Sequence, residues 1–281
     1  MKWPGGRGAN DREEKEMSLR GNDVKSKLKR GEVAIGTMIF EFLVPGLPRL
    51  MAHTGVDFAI YDMEHSGTSI ETLRMLTAAS RGPSPLPFAR VPATEYHFMA
   101  RVLDAGMLGL MIPLVNTAEQ ARKIVSSSKY PPAGLRGAGF GMAHDDYEGG
   151  DLVAKIELLN ERTFLIAQIE SPAGVENIEE IASVSGIDCL WVGHFDLTLQ
   201  MGIPGQFDNP RFQDAIKRVA DACDRHGLAA GVMAESVAVA KDWMSKGYRA
   251  IAYGPDHSLF ARALKSGVDE VRKLADNIPP R

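Results

Sequence analysis

Residues 53–65 read HTGVDFAIYDMEH, and they contain in order a glycine that can end a helix, a strand-like apolar run and a group of charged side chains. Glycine often ends helices because it adopts the left-handed conformation without steric cost. The same succession of helix end, glycine and strand recurs in the segments DAGML, VSGID, RHGLA and SKGYR. This repetition predicts helices that alternate with parallel β-strands.

Eight strands can be counted from this alternation. The strand candidates are residues 33–38, 57–62, 87–91, 108–112, 163–169, 187–192, 229–233 and 249–253. Helices are predicted between them at residues 45–54, 69–81, 95–105, 117–128, 175–184, 210–226, 236–246 and 258–276. Eight such units are typical of an α/β fold of the (β/α)₈ TIM-barrel type, with a doubly wound open sheet as the alternative.

The length of the chain favours a single domain. Its 281 residues are a length that single barrels commonly reach, and no internal stretch resembles a linker. We therefore expect one barrel domain over residues 23–281. The first 17 residues are polar and glycine-rich, so residues 1–22 are predicted to be a disordered N-terminal extension.

Composition argues against several classes of partner. Hydrophobic residues make up 44% of the chain and charged residues 24%, with a net charge of −4. A nucleic-acid partner is not expected, because the sequence lacks a basic block. No apolar run approaches the roughly 18 residues of a membrane span, and we predict a cytoplasmic enzyme. The two cysteines, Cys189 and Cys223, are expected to be buried and unpaired.

One long segment interrupts the alternation. Residues 129–160 include KYPPAGLRGAGFGMAHDDYEGGD, which is rich in glycine, proline and acids and has no clear periodicity. Long irregular segments of compact domains are usually lids or binding loops. The glycines at 137, 139 and 141 neither follow a strand nor open a helix, so they do not indicate a nucleotide site.

Reactive side chains concentrate at the carboxyl ends of the predicted strands, where barrel enzymes place their active sites. Four strands contribute them: Asp62 to His65 after strand two, Arg90 in strand three, Gln168 and Glu170 at strand five, and His194 to Asp196 after strand six.

Glu170 and Asp196 are candidate metal ligands. Glu170 follows the apolar run FLIAQI, where an unpaired carboxylate faces a large desolvation cost unless a cation or a hydrogen-bond donor meets it. Two carboxylates without a cluster of His or Cys suit a hard divalent cation such as Mg²⁺ or Mn²⁺. The alternative, which spacing does not exclude, is that Glu170 pairs with Arg90 or a lysine and Asp196 caps the next helix.

His65 lies in a polar turn after a strand, where a neutral imidazole can act as a base. Asp104 is a candidate partner for it, because a carboxylate at a helix C-terminus opposes the helix dipole and needs another reason to be there. The histidines His53, His97 and His226 are expected to be structural. His144 and His257 remain open.

Several longer motifs point to one family. They are TGVDFAIYDMEHSG, FARVP, RVLDAGMLGLMIPLVNTAEQARKIV, KYPPAGLRGAG, AQIES and DCLWVGHFDLTLQMGIPGQFDNP. In this order they resemble the HpcH/HpaI aldolase family, the metal-dependent class II pyruvate aldolases that include 4-hydroxy-2-oxoheptanedioate aldolase. The resemblance covers nearly the whole chain after residue 22 and implies a barrel of the phosphoenolpyruvate/pyruvate-domain type.

The resemblance also implies a function and a role for each site residue. The activity is that of an aldehyde-lyase that reversibly cleaves a 4-hydroxy-2-oxo acid to pyruvate and an aldehyde, through a metal-stabilised pyruvate enolate. The cofactor is Mg²⁺, Mn²⁺ or Co²⁺. The implied roles are metal binding for Glu170 and Asp196, base for His65, support of that base for Asp104, transition-state stabilisation for Arg90, and substrate binding for Gln168, Phe195, Asp196 and Arg90.

The sequence departs from the family at two places. His194 and Phe195 replace the usual proline and small residue before the metal aspartate, and FGMAHDDYEGG replaces the usual loop sequence. Both bear on the aldehyde acceptor. Family members commonly form hexamers through exchanged C-terminal helices, so a homo-oligomer is expected. The alternatives are an oxaloacetate decarboxylase, a citramalyl- or malyl-CoA lyase-like relative, or a catalytically silent barrel.

Overall fold

A computed structural model describes residues 19–82 and 84–279, in which eight parallel strands form a closed barrel. The strands pair in chain order, and the last pairs with the first through Ala34 and Ala250. The predicted TIM barrel is therefore confirmed, and the open sheet is excluded. The strands are β1 (Ala34–Ile39), β2 (Phe58–Asp62), β3 (Leu86–Arg90), β4 (Gly109–Ile112), β5 (Phe164–Ile169), β6 (Cys189–Val192), β7 (Ala229–Ala234) and β8 (Ala250–Pro255).

Twelve α-helices lie in the described part of the chain. They are α1 (Asp23–Lys29), α2 (Leu47–Met51), α3 (Ile70–Ala79), α4 (Tyr96–Asp104), α5 (Ala118–Ser128), α6 (Leu152–Arg162), α7 (Pro172–Glu176), α8 (Ile178–Ala182), α9 (His194–Gln200), α10 (Pro210–His226), α11 (Val237–Ser245) and α12 (Asp256–Ala275). The sequence pattern did not predict α1, α6 and α9, and it merged α7 with α8. Helix α9 has only seven residues, and α6 begins with the exposed Leu152 and Val153, which obscure its apolar face.

Aromatic rings fill the interior of the barrel. Phe88 stacks between Phe58 and Phe164, with ring centroids 5.6 and 5.4 Å apart. Glycines face these rings on neighbouring strands: a Cβ added at Gly109 would lie 2.6 Å from Phe88 Cδ1. Large rings opposite glycines pack a small barrel densely, so the interior is a core and not a channel.

The N-terminal extension predicted over residues 1–22 falls largely on residues 1–18, outside the described residues. Its last four residues contact the barrel. Leu19 is buried against Tyr130 and Leu159, and the Asn22 side chain donates a hydrogen bond of 2.8 Å to the Arg162 carbonyl. Residues 19–22 therefore belong structurally with the barrel domain.

The segment 129–160 lies partly away from the carboxyl ends of the strands. It contains most of α6, and residues 143–148 lie at the opposite end of the barrel. There Asp146 is 3.1 Å from Arg81, which lies shortly before β3. Asp145 anchors this turn from inside, because its buried carboxylate pairs with Lys155 at 3.0 Å. Residues 143–148 therefore do not lie over the carboxyl ends of the strands in the same chain.

Helix α12 leaves the barrel surface. All of its residues from Phe260 onward are exposed, including the large apolar side chains Phe260, Leu264, Val268, Val271 and Leu274. Their spacing of three to four residues places them on one side of the helix. Among the described residues, no helix is both long and apolar enough to cross a membrane.

Candidate active site

A cavity of about 160 Å³ opens at the carboxyl ends of the strands. Its lining brings together most of the predicted site residues, namely His65, Arg90, Gln168, Phe195 and Asp196. Two larger cavities, each of about 460 Å³, lie at the other end of the barrel and contain none of the predicted site residues. The smaller cavity is therefore the candidate active site, because parallel strands place their terminal side chains at one rim.

Asp62 organises the β2 side of this cavity. It is fully buried, and its Oδ1 accepts a hydrogen bond of 2.5 Å from Arg90 Nε. Its other oxygen accepts from the His65 backbone N–H at 2.7 Å. Arg90 Nη1 also lies 3.2 Å from Glu64 Oε2. Asp62 thus fixes both the guanidinium and the turn that carries His65, whose own side chain is 59% exposed.

Glu170 is a buried carboxylate without a cationic partner among the described residues. Its Oε1 accepts from the Leu114 N–H at 2.7 Å, and its Oε2 accepts from Gln168 Nε2 at 2.5 Å. Burial raises the pKa of Glu170 to about 7; the carboxylates of Glu64 and Asp196 act in the same direction, against the Leu114 N–H and the charge of Arg90. The predicted alternative, an ion pair of Glu170 with Arg90 or a lysine, is therefore not what forms.

The surroundings of Glu170 suit a hard divalent cation. Asp196 makes no side-chain hydrogen bond or ion pair with a described residue and does not cap its helix, and Gln168 Oε1 is buried without a hydrogen-bond partner. Burial, with the charges of Asp62 and Asp196, raises the pKa of Glu64, against the charges of Arg90 and His65. Excess negative charge and free oxygen atoms fit Mg²⁺ or Mn²⁺. No group of three His, Cys, Asp or Glu side chains in the described ranges forms a preformed metal site, so Glu170 and Asp196 would hold the ion together with non-protein ligands.

Gly193 allows the β6 turn to approach Glu170. A Cβ at Gly193 would lie 2.7 Å from Glu170 Cβ and 2.8 Å from Gln168 Nε2. Gly193 directly precedes α9, so Phe195 and Asp196 lie in the first turn of that helix. Backbone N–H groups of a first turn have no acceptor within their own helix. The same turn thus offers a carboxylate and free N–H donors.

We expect Gly193→Ala to weaken metal binding and to lower the free energy of unfolding by about 1–3 kcal/mol, because the added methyl group displaces Glu170 and Gln168. Mn²⁺ titration and urea unfolding measure the two effects. Gly46→Ala is the matched control, since a Cβ at Gly46 meets nothing within 4 Å. Wild-type Mn²⁺ affinity in Gly193→Ala would show that this close approach is unimportant.

Asp104 does not reach His65 within one chain. It is the last residue of α4, at the barrel end opposite the cavity, and it pairs with Arg136 at 2.6 Å. The prediction that Asp104 supports the base is therefore not met inside a single chain. The helix position shows that this carboxylate needs a partner but does not identify the partner.

Three carboxylates of the site region, Asp62, Glu64 and Glu235, were not among the predicted site residues. Glu64 lies beside Arg90, and Glu235 follows β7 and lies 3.4 Å from His194 Nε2. The hydrogen bond with His194 lowers the pKa of Glu235. Both glutamates closely follow the end of a barrel strand, as Glu170 does. The same criterion applied to β7 would have found Glu235.

The fold and this site can be compared with known proteins. A model of the HpcH/HpaI aldolase/citrate lyase family matches residues 44–263. The chain belongs to this family. The resemblance inferred from sequence motifs is therefore confirmed, and the chain is an aldolase-type lyase.

Relatives of the family agree in sequence and structure. Hydroxypyruvate/pyruvate aldolase of Paraburkholderia phytofirmans is 34% identical over 91% of this chain and 100% of that protein. A 5-keto-4-deoxy-D-glucarate aldolase of Shigella boydii is 31% identical over 90% of this chain and 97% of its own length. The crystal structure of a family protein from Burkholderia cenocepacia is 31% identical, with a TM-score of 0.83, and covers 89% of this chain and 99% of that chain.

Proposed function

We propose that this protein is a metal-dependent class II aldolase that cleaves a 4-hydroxy-2-oxo acid reversibly into pyruvate and an aldehyde. The observation that carries the proposal is Glu170, a buried carboxylate with no cationic partner among the described residues, beside the free oxygen of Gln168. Arg90 and His65 line the same cavity. Membership of an aldolase/citrate lyase family supports the reaction class.

Glu170 and Asp196 are the residues that would hold the divalent cation. When bound, such an ion supplies a Lewis acid that makes the protons beside the keto group of pyruvate more acidic. Gln168 lines the same cavity, and its Oε1, which has no hydrogen-bond partner, would bind a donor on the substrate or an ordered water. The backbone N–H groups of Phe195 and Asp196 would receive the substrate carboxylate, because they lack acceptors within α9.

Arg90 would stabilise the negative charge that develops on the enolate oxygen. Its guanidinium is buried and held by Asp62 and Glu64, so it needs no reorganisation as charge appears. Preorganised donors of this kind often supply the largest part of a rate enhancement. Charge-assisted hydrogen bonds from arginine are also stronger than those between neutral groups.

His65 would move the proton. In the cleavage direction a base takes the proton of the 4-hydroxyl group, the bond between C3 and C4 breaks, and its electron pair enters the enolate of pyruvate. C4 becomes the aldehyde carbon, and a proton returned to C3 completes pyruvate. His65 suits this role, because its backbone is held by Asp62 while its ring lines the cavity.

Removal of metal tests the proposal. The chelator-treated protein should exchange the methyl protons of pyruvate for deuterium at least about 100-fold more slowly than protein resupplied with Mg²⁺, Mn²⁺ or Co²⁺, because the Lewis acid contributes several kcal/mol. Proton NMR of pyruvate in D₂O measures the rate. Exchange that is independent of metal would contradict the proposal, and decarboxylation of oxaloacetate without aldehyde release would favour the alternative reaction.

We also propose that the protein is a homo-oligomer in which a second copy covers α12. The apolar side of α12 is exposed within one chain, and a contiguous exposed apolar patch often marks an interaction site. We assign Asp104 no role within a single chain, and a role toward His65 requires a second copy. The cytoplasmic location stays a prediction.

Leu264→Glu is expected to reduce the oligomer toward the monomer, because it places a charge in the apolar side of α12. Size-exclusion chromatography with light scattering measures the mass, which the family resemblance predicts as six chains of 30.6 kDa. Ser266→Glu adds the same charge on the opposite side of α12 and should leave the mass unchanged. A wild-type monomer would overturn the oligomer proposal without affecting the metal chemistry.

A further inference from the structure

His194 and Glu235 form a pair on the side of the cavity away from His65. His65 follows β2 and His194 follows β6, four strands further around the closed barrel. His194 lines the same cavity as Arg90 and Gln168. The proposed handling of pyruvate uses the other polar side chains of this cavity but leaves His194 without a role.

The His194 ring is buried and held in place. It is 6% exposed, and its centroid lies 4.5 Å from that of Phe195 and 5.4 Å from that of Phe207. Glu235 Oε1 lies 3.4 Å from Nε2. A carboxylate beside one imidazole nitrogen places the hydrogen on that nitrogen, so the pair fixes both the orientation and the tautomer of the ring.

The second ring nitrogen is available to a ligand. Nδ1 makes no hydrogen bond to any residue in the described ranges. It is also not one of the fully buried side-chain atoms that lack a partner, so a ligand can reach it. With the hydrogen on Nε2, Nδ1 presents a lone pair. The aromatic rings of Phe195 and Phe207 pack against the imidazole and limit its movement.

We infer that His194 selects the carbonyl acceptor by taking a hydrogen bond from a hydroxyl group on it, with Glu235 as the positioning residue. This inference rests on the proposed aldolase reaction. A hydroxyl group is the donor that the Nδ1 lone pair requires. A carboxylate on the acceptor has no proton to donate to Nδ1, and the negative charges of Glu235 and Asp196 would repel it. The enzyme should therefore prefer neutral hydroxyaldehydes to plain aldehydes and to aldehyde acids.

Matched acceptors test the selection. Aldol addition of pyruvate is followed with glycolaldehyde, with acetaldehyde, which lacks only the hydroxyl group, and with glyoxylate. The wild-type kcat/KM should be about 10–100-fold higher for glycolaldehyde than for acetaldehyde, because a site built to bond a hydroxyl group rejects the analogue without it. His194→Phe should bring this ratio close to one, His194→Asn should retain part of it through its side-chain oxygen, and Glu235→Gln should lower it less than His194→Phe does.

A surface pair provides the control. His226 Nε2 lies 3.1 Å from Glu179 Oε2 at the far end of α10, so His226→Phe makes the same chemical change outside the cavity and should leave the acceptor ratio at its wild-type value. Equal ratios in wild type and His194→Phe, in protein that exchanges pyruvate protons with metal, would overturn the inference alone. Wild-type protein without metal-dependent exchange would overturn the proposed function and this inference together.

Discussion

Glu170→Gln should abolish metal-dependent exchange of pyruvate protons while stabilising the metal-free protein. The substitution keeps the shape and the acceptor for the Leu114 N–H but removes the charge that would hold the cation. Replacing a residue that only hydrogen-bonds to a metal ligand lowers metal affinity or activity by about 10–100-fold. Replacing a direct ligand should therefore lower them by more than about 100-fold. Mn²⁺ titration and the NMR exchange assay measure these losses.

The stability effect follows from the raised pKa of Glu170. Because this pKa is about 7 in the folded chain, above its ordinary value, the folded state favours the protonated form. The resulting contribution to stability is complete below the ordinary pKa and is lost as the pH rises through about 7. Above pH 7, Glu170→Gln should therefore raise the free energy of unfolding of the metal-free protein by about 1–3 kcal/mol.

Glu180→Gln is the control, because it makes the same chemical change at an exposed helix position. It should alter neither metal affinity nor the pH dependence of unfolding in urea. A Glu170→Gln protein that exchanges pyruvate protons at the wild-type rate would contradict the proposed role of Glu170 as a metal ligand. Lower stability of the metal-free variant would instead show that the charge of Glu170 is compensated in the apo protein.

Arg90→Lys should lower the rate of pyruvate proton exchange by about 100–1000-fold, the usual effect of removing one preorganised donor from a developing oxyanion. Lysine keeps the positive charge near the buried Asp62, which limits unfolding. It cannot reproduce the two separate contacts that Arg90 makes with Asp62 and Glu64. The side chain would therefore lose its fixed orientation toward the cavity.

The same NMR assay at saturating metal measures this effect, with circular dichroism as the check on folding. Arg101→Lys makes the same change on an exposed position of α4 and should have no effect. Arg90→Ala is a poorer probe, since it leaves the carboxylate of Asp62 buried and unpaired, at a cost of about 3–5 kcal/mol. An exchange rate for Arg90→Lys within about threefold of wild type would exclude the proposed role.

Local sequence predicted the strands well. Each predicted strand begins and ends within two residues of the observed one, because apolar runs and cap glycines are local signals. The missed helices carried weaker signals: α9 is shorter than the apolar repeat can reveal, and α1 buries only Val24 along its length. The irregular composition of residues 129–151 concealed that the segment continues into α6.

The candidate site was partly predictable for the same reason. Strand direction alone assigns Arg90, Gln168, Glu170 and Asp196 to one rim, because all parallel strands of a barrel end there. The residue types at that rim already indicated an oxygen-rich metal site.

Only the closed barrel decided how those side chains pair. Arg90 lies against Asp62 and Glu64 and leaves Glu170 without a cation among the described residues, and Gly193 lets the β6 turn reach Glu170. Asp104 was excluded from this chain's cavity by its position at the other end of α4. Sequence determines which strand end carries each group, since that depends on local periodicity. The partner of each charge depends on distances across the barrel mouth, which exist only after eight strands have closed.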